Sequence, residues 1–222
     1  MAIGLQHHRS DLQLQEALRE IHLMSGLVPP EQKGKGIAIG VTSPHFGDGK
    51  TTVSIGLAAS LASDFNVDVT LVDSDFHTTS IANEYGLNTD AGLTDVLTGQ
   101  QDLANVSHRV NAHITVIPAG QTKSDPARSA RSHNLVALIE NMKQASRFVV
   151  IDLPATLHSM NAPVLAQRCD GVIVVVRAGR TSRRDLERAL ELLKDSNILG
   201  IVVNRRRSAV PRWIENALNL RR

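Results

Sequence analysis

The chain has a single cysteine, Cys169, among its 222 residues. One thiol cannot close an intrachain disulfide, so the fold is expected to rest on its core alone, as suits a reducing compartment. Aromatic residues are nearly as scarce: Phe46, Phe65, Phe76, Tyr85, Phe148 and Trp213 are all of them. The core must therefore be built from Val, Ile, Leu and Ala. No apolar run approaches the roughly 20 residues of a membrane-spanning helix, and no secretory leader is visible. These absences read as a cytoplasmic protein. Nine histidines are present, but apart from the adjacent His7 and His8 they are scattered and match no metal-ligand spacing.

The composition is that of an ordinary globular chain, 42% hydrophobic and 21% charged, long enough for one substantial α/β domain. The formal net charge of +2 is unevenly placed. Arg205, Arg206, Arg207, Arg212, Arg221 and Arg222 crowd residues 205–222, where Glu215 is the only acid. Between them Trp213, Ile214, Ala217 and Leu218 share one face of a short helix. Such an end suits a solvated terminal helix, or an anionic membrane surface or acidic partner.

The densest signal lies at 37–52, IAIGVTSPHFGDGKTT. An apolar run ends in a Gly-rich turn closing on Gly49-Lys50-Thr51, and small residues follow at helical spacing. That is the strand–loop–helix setting of a phosphate-binding loop. Gly47 and Gly49 let the backbone approach phosphate oxygens, Lys50 is expected to stand open to the β- and γ-phosphates, and Thr51 to ligate Mg²⁺. Pro44 replaces the first glycine of the full motif.

Continuous apolar runs at 69–72, 114–117, 148–151, 172–176 and 198–203 read as strands buried on both faces. Helical patterns at about 50–63, 127–145, 159–168 and 182–195 alternate with them. The expectation is a three-layer, doubly wound, mainly parallel sheet with helices on both faces. It comprises an N-terminal helix and linker at 1–36, a nucleotide domain at 37–204 and a basic tail at 205–222. Two of the strands end in acids, Asp73-Ser74-Asp75 after Leu71-Val72 and Asp152 after Val149-Val150-Ile151. Open α/β sheets bind ligands at these strand ends, and one or two carboxylates suffice to hold Mg²⁺ beside phosphate oxygens.

Residues 42–52, Leu71-Val72-Asp73-Ser74-Asp75 and Val150-Ile151-Asp152-Leu153-Pro154 resemble the Walker A, A′ and B motifs of bacterial tyrosine kinases (BY-kinases). Gly92-Leu93-Thr94-Asp95-Val96-Leu97-Thr98-Gly99, Asp125-Pro126 and Gly179-Arg180-Thr181 resemble further segments of that family. The resemblance implies ATP and Mg²⁺ as cofactors. Nucleotide would be bound by Phe46, Gly47, Asp48, Gly49, Lys50, Thr51 and Thr52, with Asn204 on the adenine edge. It further implies Thr51, Asp152 and Asp75 at the metal, and Lys50, Asp73 and Asp75 in catalysis, with Asp73 as the general-base or metal-side carboxylate and Asp75 its partner. The division and partition ATPases of the same class carry a signature lysine where this chain has His45. Glu16, Arg19 and His22 resemble, with a changed last position, the E-x-x-R-x-x-R motif through which BY-kinases form rings, so a homo-oligomer is expected.

The family's tail tyrosine cluster is missing, since Tyr85 is the only tyrosine. The resemblance thus implies an enzyme of polysaccharide synthesis or export, moving phosphoryl from ATP to protein tyrosine or to water. Its implied partner is a membrane polysaccharide copolymerase or that protein's cytoplasmic segment. The alternative is a nucleotide-switched regulatory or scaffold ATPase without kinase activity, membrane- or nucleic-acid-associated through the arginine tail. Nucleic acid is not the expected partner.

Overall fold

The computed structural model describes Arg19, residues 26–29, Glu31, and residues 35–76, 80–87, 90–120 and 133–205. Seven strands form one sheet in the order β3-β4-β2-β5-β1-β6-β7. They are β1 (Ile37–Thr42), β2 (Val69–Asp73), β3 (His108–Arg109), β4 (Ile114–Ile117), β5 (Phe148–Asp152), β6 (Gly171–Arg177) and β7 (Ile198–Asn204). All pairings are parallel except β3 with β4.

Alternate side chains of the central strands feed two separate cores. Ile39, Val41, Phe148, Val150, Val69 and Leu71 face one, and Ala38, Val149, Ile151 and Val72 the other. A strand buried on both faces must be apolar at every position, which is why these runs read as continuous rather than alternating. Helix α1 (Lys50–Phe65) and α2 (Ser80–Tyr85) cover the first face. The second is covered by α3 (Leu93–Leu97), α4 (Leu103–Val106), α5 (His133–Ala145), α6 (Asn161–Ala166) and α7 (Arg183–Leu192). The three-layer expectation holds.

Helix α1 presents Val53, Leu57, Ala58, Leu61 and Ala62 to its core, the i, i+4 rhythm of one buried stripe. It stops at Asn66, whose φ of 52° is left-handed, a conformation asparagine tolerates better than most residues. Gly40 marks the tightest point of β1: a Cβ there would lie 2.7 Å from Leu153 Cδ1 and 3.0 Å from Cys169 Sγ. Burial pushes the Cys169 thiol up to about 12, so it packs as a small hydrophobe and stays unreactive.

The order of strands sets the site. The chain leaves β1 for β2 two places away, returns to insert β5 between them, then runs to β6 on the other side of β1. The C-terminal ends of β1, β2 and β5 are thereby brought together, and Asp73 lies opposite Asp152 in the β2–β5 register.

Candidate nucleotide site

The loop from Ser43 to Gly49 joins β1 to α1 and is fixed by its own polar groups. Ser43 Oγ donates to the carbonyl of His45 at 2.8 Å, and His45 N–H donates to Asp48 Oδ2 at 3.1 Å. Gly47 and Gly49 adopt φ of 79° and 101°, values that a side chain would strain. Gly49 has a second reason to be glycine. Asn204, at the end of β7, donates from Nδ2 to the carbonyl of Asp48 at 2.9 Å and lies where a Cβ on residue 49 would be. The loop after β5 closes the other flank, with Thr156 N–H donating to Ser43 O and Leu157 N–H to Pro44 O.

Asn204, expected on the adenine edge, is engaged with the loop. Its Oδ1 accepts from Arg205 N–H at 2.8 Å while its amide nitrogen holds the loop, so both ends of the side chain are engaged on backbone.

Lys50 also departs from the open cation that the sequence suggests. It is 5% exposed, with Nζ 2.9 Å from Asp75 Oδ2 and 3.5 Å from Asp152 Oδ2. Burial works against its charge, but Asp152, Asp75 and Asp73 together outweigh it and hold its pKa above the ordinary lysine value. Asp152, fully buried, accepts from Thr51 Oγ1 at 2.7 Å and Ser54 Oγ at 3.0 Å. Its pKa is raised by burial, against the pull of Lys50 and those two hydroxyls.

Asp73 stands apart. Its Oδ1 accepts from Asp75 N–H at 3.1 Å, and its Oδ2 is buried with no hydrogen-bond partner among the described residues. Burial, then the charge of Asp152, push its pKa up to about 8. A carboxyl with that pKa carries its proton at neutral pH and gives it up in the range where general bases work.

The shift has a measurable consequence for stability. Unfolded Asp73 releases its proton near 3.8, whereas the folded group keeps it to about 8. Within that window the folded state binds more protons, so stability is greatest at the acid end and is lost as pH rises through about 8. In buffer free of metal and nucleotide, Asp73→Asn should melt above the parent at about pH 9. The gap should narrow as pH falls from about 8 and close only near the unfolded value of 3.8, where a protonated carboxyl in both states resembles an amide. Thermal melts that differ by a constant amount across this range would show that Asp73 is ionised throughout.

An open cleft of about 300 Å³ lies over the loop, lined by Phe46, Gly47, Gly49, Lys50, Thr51 and Thr52 with Ile55, Ser80, Glu84 and Arg205. A wider hollow of about 550 Å³ sits at the opposite ends of the strands, around Asp68, Arg109 and Arg147, far from the acids and the lysine. The smaller cleft is the one with chemistry. Arg205, grouped with the tail by sequence, belongs to its wall, with a left-handed φ of 56°. The oxygen donors Thr51, Asp152 and Asp75 and the orphaned Asp73 Oδ2 form the hard-ligand set that Mg²⁺ takes, and the glycine turn leaves backbone accessible to phosphate.

Several neighbours of the site carry no motif. Ser54 supplies the second hydroxyl to Asp152, and its place one turn after Lys50 is the only sequence signal it had. His45 is bound from both ring nitrogens: Nδ1 lies 2.9 Å from His158 Nε2, and Nε2 lies 3.2 Å from Asp185 Oδ2. Arg19, expected at a subunit interface, pairs with Asp64 of α1 in the same chain at 2.8 Å. Its companions Glu16 and His22 lie outside the described residues, as do Asp125 and Pro126.

The chain has known relatives. An AAA domain model matches residues 36–198. Tyrosine-protein kinase CpsD of Streptococcus agalactiae serotype III is 31% identical over 171 residues, covering 75% of this chain and 73% of that protein. The chain belongs to the BY-kinase-like P-loop ATPases. The solved kinase domain of VpsO is 26% identical to this BY-kinase-like chain, with a TM-score of 0.80 over 92% of this chain and 100% of that one. The kinase domain of the Escherichia coli tyrosine kinase ETK superposes with a TM-score of 0.82 over 95% of this chain and 84% of that one, at 21% identity, a likeness of fold. Among the described residues, no helix is long and apolar enough to cross a membrane.

Proposed function

We propose that this BY-kinase-like ATPase is a cytoplasmic enzyme that transfers the γ-phosphoryl group of Mg-ATP to tyrosine of another protein, in polysaccharide synthesis or export. The observation that carries this reading is the buried set of Lys50, Asp75, Asp152 and the half-unpartnered Asp73 under a glycine turn. Phosphoryl transfer asks mainly for position and charge neutralisation, and little covalent chemistry of the protein. Lys50 would exchange part of its contact with Asp75 and Asp152 for phosphate oxygens. Gly47 and Gly49 would admit the phosphates to backbone N–H groups, and Thr51, Asp152 and Asp75 would hold Mg²⁺. The ion would supply positive charge to the phosphates. Asp73 would take the proton of the attacking hydroxyl through Oδ2, which has no hydrogen-bond partner among the described residues.

The acceptor is placed on another protein because the only tyrosine of this chain, Tyr85, lies in α2 and is half-buried. A cytoplasmic segment of a membrane copolymerase is the proposed activating partner, and assembly into a homo-oligomer is proposed through the N-terminal segment around Glu16, Arg19 and His22. The deciding experiment incubates the purified chain with γ-labelled ATP and Mg²⁺, with and without that segment. Label on protein tyrosine is expected. Free phosphate alone would leave an ATPase without kinase activity, and no turnover in either condition would reject the enzyme.

A further inference from the structure

The buried charges of the site do not balance. Asp48, Asp75 and Asp152 are buried with Asp73, which adds its charge once it gives up its proton, and Lys50 is the only buried cation beside them among the described residues. A triphosphate adds more negative charge, of which one Mg²⁺ offsets two units. In a site poor in water, unneutralised like charges are costly, so further cations must come from nearby. His45 is next to the phosphate loop but is engaged elsewhere, one ring nitrogen on His158 and the other on Asp185.

Two arginines are better placed. Strand β6 ends at Arg177, and the turn that follows is tied at several points. Arg177 N–H donates to Thr181 Oγ1 at 2.9 Å, and Arg180 and Thr181 N–H both donate back to Arg177 O. Gly179 takes the left-handed position with φ of 72°, and Ala178 N–H donates to Asn204 O, fastening the turn to β7. This turn brings both guanidinium groups to Gly47. Arg177 Nη1 lies 3.5 Å from the Gly47 carbonyl, and a Cβ on residue 47 would come within 3.2 Å of Arg180 Nη1. The nearby acids are already committed, Asp185 to His45 and Glu187 to Arg183.

We propose that Arg177 and Arg180 are phosphate-contacting residues supplied in cis, clamping the terminal phosphate of the bound triphosphate above Gly47. The inference rests on the ATP reading and deepens it. Guanidinium groups match phosphate oxygens with paired N–H donors, and charge placed on the transferring group counts most as the bond to its leaving oxygen loosens. Arg177, half-buried and already 3.5 Å from the Gly47 carbonyl, would meet the phosphate from the loop edge. Arg180, exposed, would close over the phosphate once it arrives.

The test compares a slowly hydrolysed ATP analogue with ADP, each with Mg²⁺, by calorimetric titration against the parent, the Arg177→Ala/Arg180→Ala variant, and Arg188→Ala on the exposed side of α7 as control. The double variant should lose about tenfold or more in analogue affinity while ADP affinity changes less than about twofold. Its turnover should fall by about 10²-fold or more, the scale of a lost charge-stabilising donor. Arg180→Lys should restore analogue binding more than turnover, since a point charge lacks the paired donors. Equal weakening of analogue and ADP, with a lowered melting temperature, would make the arginines props of the loop and overturn the proposal. Unchanged analogue affinity would also overturn it, even if transfer to a protein acceptor fell. The ATP reading fails separately, through a parent that binds no analogue or a Lys50→Ala variant that binds it as well as the parent.

Discussion

Lys50→Ala is expected to reduce affinity for a slowly hydrolysed ATP analogue by on the order of 10²-fold or more. Two charge-assisted hydrogen bonds to phosphate are each worth about 1.5–3 kcal/mol, and a factor of ten needs about 1.4 kcal/mol. The structure adds an effect on stability. Lys50 is buried between Asp75 and Asp152, and its removal leaves those carboxylates without their counter-charge. Breaking a buried pair costs about 3–5 kcal/mol when the remaining charge persists. The carboxylates escape part of that cost by taking up protons. The variant should therefore melt close to the parent in mild acid and well below it at high pH. Titration must accordingly be done where circular dichroism shows the variant folded. A folded variant with the parent's affinity would remove Lys50 from the phosphate site.

Much of this site is local in sequence, and that part was readable. Lys50 and Thr51 follow a glycine turn, and Asp73, Asp75 and Asp152 follow apolar strands, so strand and acid are contiguous. The parallel sheet was readable for the same reason, because burial on both faces leaves an unbroken apolar run. The antiparallel β3 was not, since two residues carry no period. Helices α2, α3 and α4 were missed because four to six residues do not complete an amphipathic repeat. Helix α7 starts at Arg183 rather than Ser182 because Ser182 is its cap, accepting from Asp185 N–H.

What escaped in the site is what long-range packing supplies. Ser54 meets Asp152 across 98 residues, and His45 meets His158 across 113. Neither Ser54 nor His158 has a pattern around it. The burial of Lys50 escaped too, because only the fold brings three strand ends together above one helix start. Asn204 shows the same limit at a single residue. Its place at the end of the last apolar run is legible, but its contact with Asp48 spans 156 residues and only the sheet order creates it.

The two strand-end acids should separate chemistry from metal binding. Among the described residues Asp73 Oδ2 has no hydrogen-bond partner, so Asp73→Asn can keep the hydrogen bond from Asp75 to Oδ1 while removing the ionisable group that accepts a proton. Mg-ATP affinity should stay within about a few-fold, and turnover should fall by about 10²-fold or more, as expected of a lost general base. In the parent, turnover should rise with pH as Asp73 gives up its proton, and the variant should lack that rise. Asp152 differs because its oxygens are held by Thr51 and Ser54 beside Lys50. Asp152→Asn replaces one of those acceptors by an amide and removes a metal-side charge, so it should weaken the Mg²⁺ dependence of nucleotide binding as well as turnover. Losing a transition-state contact lowers kcat and kcat/KM together, whereas losing uniform binding raises KM. If Asp73→Asn turns over at the parent's rate, Asp73 is a buried strand-end acid and the proton must leave by another route.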